Sequence, residues 1–337
     1  MELSLLWFVL IAVLFSGFFF LEGFDYGVAI VMPFLGKDDE ERRIIINTIG
    51  PHWDGNEVWL LTAGGAMFAA FPAWYATMFS GFYLALFLVL FALIIRVVGF
   101  EFRSKLESAK WRKMWDGAIF LGSLLPAILF GTAMANLIQG VPIAMGKYGL
   151  VYTGNFFDLL SVYTLLAGVT TCVVFIYHGL VFLALKTEGA VQEKVLKLSG
   201  YLGLGAVLFV VLLGGANAVF TDMYRQPAAI VFAALAFILI VLSVLFAKKG
   251  SFGRAMLCNG LCIICGTAAL FAGLFPRVMV SSVNAAFNLT VYNASSSPYT
   301  LKVMTIVALT LVPVVLIYQA WTYWIFRKRV TAAHLEY

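Results

Sequence analysis

The chain has 337 residues, 63% of them hydrophobic and only 12% charged, against about 25% charged in a soluble domain. Its mean hydropathy is +0.98. These values exclude a soluble globular domain and imply a polytopic membrane protein. The formal net charge of +5 does not point to a nucleic-acid partner, because the basic residues sit between apolar segments.

Taken in chain order, the apolar segments predict an all-α integral membrane protein of about nine helices. They lie near residues 4–34, 53–72, 74–102, 114–138, 156–186, 195–219, 227–247, 254–279 and 301–327. Each is close to or above the roughly 20 residues a span needs. The first segment starts after Glu2 with no basic stretch before it, and is too long for a signal peptide's apolar core. Pro51 and Pro72 bracket the second helix. Residues 38–49 admit two readings, a continuation of helix or an amphipathic interfacial helix that would bring Asp54 nearer the surface. The expected organisation is one polytopic domain over 1–337. Its possible halves are two four-helix bundles, 1–138 and 156–279, with the peripheral ninth helix at 301–327.

The loops alternate in charge. One set carries Lys37, Arg42 and Arg43, then Arg103 to Lys113, then Lys186 to Lys197, then Lys248 to Arg254, then Arg327 to Arg329. The other set carries only Lys147, Arg225, Arg277 and Lys302. The bias predicts an outside N-terminus and a cytoplasmic C-terminus.

Against this background a few acids stand out. Glu22 and Asp25 lie three residues apart in the first helix, and Asp54 and Glu57 three apart in the second. Residues three apart share a helix face, and a carboxylate at bilayer depth costs at least about 2.5–3.5 kcal/mol. An antiparallel helix pair would bring all four to similar depth in the cytoplasmic half. Arg96, inside the third helix, is the evident counter-ion. Two readings stand. In one the acids carry protons inward. In the other they pair with Arg96 or cap helix ends. Glu101 and Asp116, near helix ends, read as interfacial.

The three histidines are His52, His178 and His334. His52 is embedded among the acids, beside Trp53. His178 reads as a hydrogen-bonded helix residue and His334 as a solvated tail residue. Haem ligation commonly uses His or Met on inward-facing helices, and no methionine pairs with a histidine at matching depth, so the chain alone is a poor multi-haem candidate. Cys258, Cys262 and Cys265 fall on one face of an apolar helix and read as packing thiols rather than cluster ligands. Gly64-Gly65 and Gly214-Gly215 read as close helix contacts.

The blocks Gly23-Phe24-Asp25-Tyr26-Gly27-Val28 and Pro51-His52-Trp53-Asp54-Gly55-Asn56-Glu57-Val58-Trp59-Leu60 carry a family resemblance. So do Arg96-Val97-Val98-Gly99-Phe100-Glu101 and Tyr152-Thr153-Gly154-Asn155-Phe156-Phe157. Together they resemble subunit II of cytochrome bd-type quinol oxidases, over essentially the whole chain. The resemblance implies a subunit of a bacterial respiratory oxidase, in the cytoplasmic membrane, that oxidises quinol and reduces dioxygen to water. It implies that b-type haems and haem d reside in a partner, subunit I, and that this chain ligates no cofactor or metal and holds no catalytic residue of its own. Small single-helix subunits and membrane lipid are further expected partners. The resemblance links Asp25 and Asp54 to haem assembly and a proton path, and Arg96 to activity. Glu22, His52, Trp53 and Glu57 are carried as neighbours of that path. The alternative class is a proton-coupled secondary transporter using the same intramembrane acids.

Overall fold

The computed structural model describes residues 2–147 and 149–331. Among these it contains eleven α-helices and two short antiparallel hairpins. Helix α1 (Leu3–Leu35) runs through the centre of the bundle. At 1.5 Å per residue its 33 residues extend about 50 Å. Gly36 closes it, and Asp38 caps α2 (Asp39–Ile49) by accepting the Glu41 amide at 2.9 Å. Three acids in the first turn of α2 favour its N-terminus. Ile45, Thr48 and Ile49 are buried, so of the two readings of 38–49 the separate amphipathic helix is the one adopted.

Helix α3 (Trp53–Ala70) follows, then α4 (Pro72–Gly81) and α5 (Tyr83–Phe102). The segment expected as one helix over 74–102 is therefore two, broken at Phe82 (φ −96°, ψ 17°). Helix α4 packs on the hairpin of β1 (Ile143–Gly146) and β2 (Gly149–Tyr152), which explains the break: the chain folds against this end loop before it crosses. Helix α6 (Ala109–Gln139) starts five residues earlier than hydropathy indicates because Ser108 caps it.

Helix α7 (Val162–Lys186) begins at a Ser161–Thr164 capping box, so the residues before it form only a 3-10 turn over 156–159. Helices α8 (Gly189–Phe220), α9 (Pro227–Lys248) and α10 (Phe252–Leu274) complete the bundle. The last ends short of the expected residue 279, since Pro276 follows and β3 (Arg277–Met279) pairs with β4 (Leu289–Thr290). Helix α11 (Pro298–Ile325) lies at the periphery with Leu301 as its one buried residue.

Eight of these helices are long and apolar enough to cross a membrane. The ninth expected span, α3, is long enough, but Asp54, Asn56 and Glu57 lower its hydropathy.

Helix α1 packs on α3, α6, α7 and α10. Its crossing with α7 occurs at Gly27 and Gly179. A Cβ on Gly27 would collide with the Phe175 carbonyl oxygen and lie 2.9 Å from the Gly179 nitrogen. Only glycine permits this backbone-to-backbone approach. The expected glycine contacts are elsewhere: nothing lies within 4 Å of a Cβ at Gly64, Gly65 or Gly215, and only the Tyr224 hydroxyl, at 3.8 Å, approaches Gly214. The rotation of each helix decides which glycine meets a neighbour. All four cysteines are free thiols, with Cys258 and Cys262 buried.

Candidate functional site

The site forms where α1, α3, α5 and α11 meet, roughly 15 Å before the end of α1. Glu22 and Asp25 are fully buried on one face of α1, and Arg96 of α5 is fully buried opposite them. Arg96 fits there because α6 presents Gly122: a Cβ at that position would lie 2.8 Å from Arg96 Cβ and 2.6 Å from the Ala92 carbonyl. Arg96 Nη1 lies 2.5 Å from Glu22 Oε1 and 2.8 Å from Glu57 Oε1. Its guanidinium stands 4.8 Å from the Tyr26 ring centroid and 5.3 Å from that of Phe100, within cation–π range.

Asp25 is held differently. Its Oδ2 accepts a hydrogen bond from Asn56 Nδ2 at 2.7 Å. The Asn56 Oδ1 in turn accepts from the Tyr323 hydroxyl at 2.9 Å and from Gln319 Nε2 at 3.3 Å. Trp59 Nε1 donates to Gln319 Oε1 at 2.9 Å. A chain of polar contacts thus joins α1, α3 and α11. Several buried atoms make no hydrogen bond within the chain, among them Asp25 Oδ1, Glu22 Oε2, Tyr26 Oη, and Arg96 Nε and Nη2.

Three of the four expected acids therefore gather around Arg96. The fourth, Asp54, does not join them; it is exposed, as is Gly55 beside it. Glu57 is mostly enclosed, its side chain 19% exposed. His52 is buried with its ring stacked on Tyr323, centroids 4.3 Å apart and planes within 3°. Trp53 packs against Phe100 at 5.8 Å.

Nearer the loops a second charge network ties α2 to α5 and α6. Asp116 bonds Arg42 at 2.6 Å and Arg103 at 2.5 Å, and Asp39 pairs with Arg103 and Arg112, each at 2.9 Å. Asp116 is 3% exposed, so near its helix end it is a buried tie between helices. Lys194 of α8 pairs with Glu41. Partial burial raises the Glu41 carboxyl, but the Lys194 bond and the Lys37 backbone N–H outweigh it and hold the group below the usual carboxylate range. At the opposite end Arg277 clamps Asp222 with two bonds of 2.8 and 2.9 Å. Those bonds hold Asp222 below its ordinary value.

Both ring nitrogens of His178 are engaged, with the Phe20 carbonyl at 3.1 Å and Asn259 Nδ2 at 2.9 Å. His52 lies against Tyr323 and Phe326, and its two buried ring nitrogens make no hydrogen bond within the chain. A cavity of about 720 Å³ among α6 to α10 is lined by Met134, Tyr163, Met223, Tyr224 and Cys262, with no histidine in its wall. No cluster of three or more metal-ligating side chains exists among the described residues. His334 lies outside them.

Asn56, Gln319 and Tyr323 are site residues that spacing did not single out. Asn56 had a signal, since it lies between the two acids of α3. Gln319 and Tyr323 had none, being more than 260 positions away in the chain.

Fold and site together define a multi-pass helical membrane protein with a buried acid–arginine cluster. Residues 3–326 match the family described as cytochrome bd terminal oxidase subunit II. The chain is 46% identical over 329 residues to cytochrome bd ubiquinol oxidase subunit 2 of Bacillus subtilis (strain 168), covering 97% of this chain and 96% of the relative. It is 40% identical over 366 residues to cytochrome bd-I ubiquinol oxidase subunit 2 of Escherichia coli (strain K12), covering 99% and 97%. A chain of the bd oxidase from Geobacillus thermodenitrificans shares the fold, with TM-score 0.77, 17% identity, and coverage of 97% of this chain and all of that one.

The chain belongs to the cytochrome bd terminal oxidase subunit II family. It is thus one subunit of an oxidoreductase complex and a multi-pass protein of a bacterial membrane.

Proposed function

We propose that this chain is the non-haem-ligating subunit of a quinol:oxygen oxidoreductase, and that its acid cluster delivers protons to an oxygen-reducing centre in the partner, subunit I. In that reading the partner holds the b-type haems and haem d, which supply the redox chemistry, and quinol and dioxygen are substrates of the complex. The N-terminus lies outside and the C-terminus in the cytoplasm, as the loop charges favour.

One observation carries the reading. Glu22, Asp25 and Glu57 surround a single guanidinium, so with every group ionised two negative charges are in excess. A low-dielectric interior resists such an excess, and buried charges neutralise in preference. A cluster of this kind retains a proton and passes it on when the local field changes. It sits toward the ends of α1, α5 and α11 that lead into the Lys- and Arg-rich loops, the cytoplasmic side in this reading. Arg96 limits the excess charge and sets the spacing of the acids. His52 and Trp53 close the cluster on its loop side, and Asp54, exposed on this chain, continues the path toward the partner subunit.

The test is Asp25→Asn and Asp54→Asn in the assembled oxidase. Each is expected to lower oxygen-reduction rate or haem content while the subunit still inserts. Wild-type turnover and haem content in both would refute the proton-delivery reading. An intense haem absorption band retained by this chain purified alone would refute the assignment of the haems to the partner. Substrate uptake by the lone chain in proteoliposomes would favour the transporter alternative instead.

A further inference from the structure

The peripheral helix α11 reaches the acid cluster through a hydrogen-bond chain whose direction is dictated at its far end. An indole N–H donates and cannot accept. Trp59 Nε1 therefore faces Gln319 Oε1, at 2.9 Å. That leaves Gln319 Nε2 to donate to Asn56 Oδ1, at 3.3 Å, where the Tyr323 hydroxyl also donates, at 2.9 Å. With two donors on its oxygen, the Asn56 amide has one orientation, and its Nδ2 points at Asp25 Oδ2, at 2.7 Å, and at the Leu21 carbonyl, at 3.5 Å. A flipped amide would place Oδ1 against the Asp25 carboxylate and Nδ2 against the Gln319 Nε2 donor.

We infer that α11 is a positioning element for Asp25: Trp59, Gln319 and Tyr323 lock the Asn56 amide as a donor to the Asp25 carboxylate and so set the pH range over which the oxidase turns over. The inference rests on the proton-delivery reading. A donor bonded to the ionised form favours that form. Losing it makes Asp25 release its proton less readily, and turnover then needs a more alkaline medium.

The other groups facing Asp25 are Glu22 and Tyr26 on its own helix, Glu57 on α3, Arg96 on α5 and Tyr323 on α11. Helices α6, α7 and α10 also pack on α1. From these, Asp116 is engaged by Arg42 and Arg103, and His178 by Phe20 and Asn259. Of all these groups only Tyr323 belongs to the lock, so removing the lock takes away none of the charged side chains around Asp25.

The experiment is quinol-driven oxygen uptake against pH in membranes holding the full complex, normalised to assembled haem. Tyr323→Phe and Trp59→Phe are each expected to move the pH of half-maximal turnover in the alkaline direction. Asn56→Leu, which removes the donor itself, is expected to move it further, by about 1–2 pH units, the span of a hydrogen bond to a charged group. Tyr323→Phe keeps side-chain bulk and Trp59→Phe keeps an aromatic ring, and the two carry the test if Asn56→Leu fails to assemble. Lower turnover at every pH with an unmoved midpoint in both would overturn the inference, because a purely structural role predicts that pattern. Asp25→Asn separates the two levels. If it and Asp54→Asn both retain wild-type turnover and pH profile, the proton-delivery reading falls and this inference with it. If it loses turnover while Tyr323→Phe and Trp59→Phe keep the wild-type midpoint, the inference alone falls.

Discussion

Arg96→Gln removes the one cation from the buried cluster. Arg96 is fully buried and pairs with Glu22, also fully buried, at 2.5 Å, and with Glu57, 19% exposed, at 2.8 Å. Removing one partner of a buried pair typically costs about 3–5 kcal/mol, most of it from the charge left behind. For a chain of 337 residues that corresponds to a fall in melting temperature of roughly 4–7 °C. Not every acid should matter equally. Glu57 is less enclosed than Glu22, its side chain 19% exposed against 0%, so Glu57→Gln leaves Arg96 with its fully buried partner and is expected to cost the less of the two. Glu22→Gln strips Arg96 of its enclosed partner and is expected to cost more. In the double variant Glu22→Gln, Arg96→Gln no charge is left behind by the pair, and stability is expected to recover part of the Arg96→Gln loss. The assay is thermal unfolding of the detergent-solubilised complex, read as loss of assembled haem signal, across this double-mutant cycle. Equal losses for Glu22→Gln and Glu57→Gln, or a double variant as unstable as the sum of its singles, would refute the reasoning from burial.

Two further outcomes concern packing and pH. Gly27→Ala sets a methyl group against the Phe175 carbonyl, and backbone cannot yield as a side chain can, so a loss of about 1–3 kcal/mol or more is expected. Gly200→Ala, with nothing within 4 Å of its Cβ, is expected to leave the melting temperature unchanged; equal effects of the two would contradict the close α1–α7 crossing. Asp222 is held below its ordinary value by Arg277. Its stabilisation is therefore fully present above the unfolded carboxyl value of about 3.9 and is lost as pH falls through the lower folded value. Melting temperature is expected to decline more steeply below about pH 4 in wild type than in Asp222→Asn, and coincident curves would remove the Asp222–Arg277 pair from the acid response.

The membrane class, most of the spans and the family were legible in the sequence. Hydropathy and length are properties of a segment by itself, and blocks such as His52-Trp53-Asp54-Gly55-Asn56 are specific without any structure. The cost of a carboxylate in an apolar segment also needs no structure, so Glu22, Asp25, Glu57 and Arg96 could be singled out in advance. Helix ends were less legible where a cap decided them, as Ser108 does for α6 and Ser161 for α7. The break at Phe82 depends on the end hairpin that α4 packs against, a contact more than 60 residues away in the chain.

Tertiary structure alone decided which acids gather. Spacing of three puts Asp54 and Glu57 on one side of α3, yet the rotation of that helix against α1 encloses Glu57 and leaves Asp54 exposed. The same kind of choice makes Gly27 and Gly179 the crossing point and leaves Gly64 and Gly65 open. Tyr323 and Gln319 join the site only because α11 returns alongside α3. A sequence states how costly each polar group is in lipid. Which partner offsets that cost depends on helix rotation and on neighbours distant in the chain, and these are set only when the whole bundle packs.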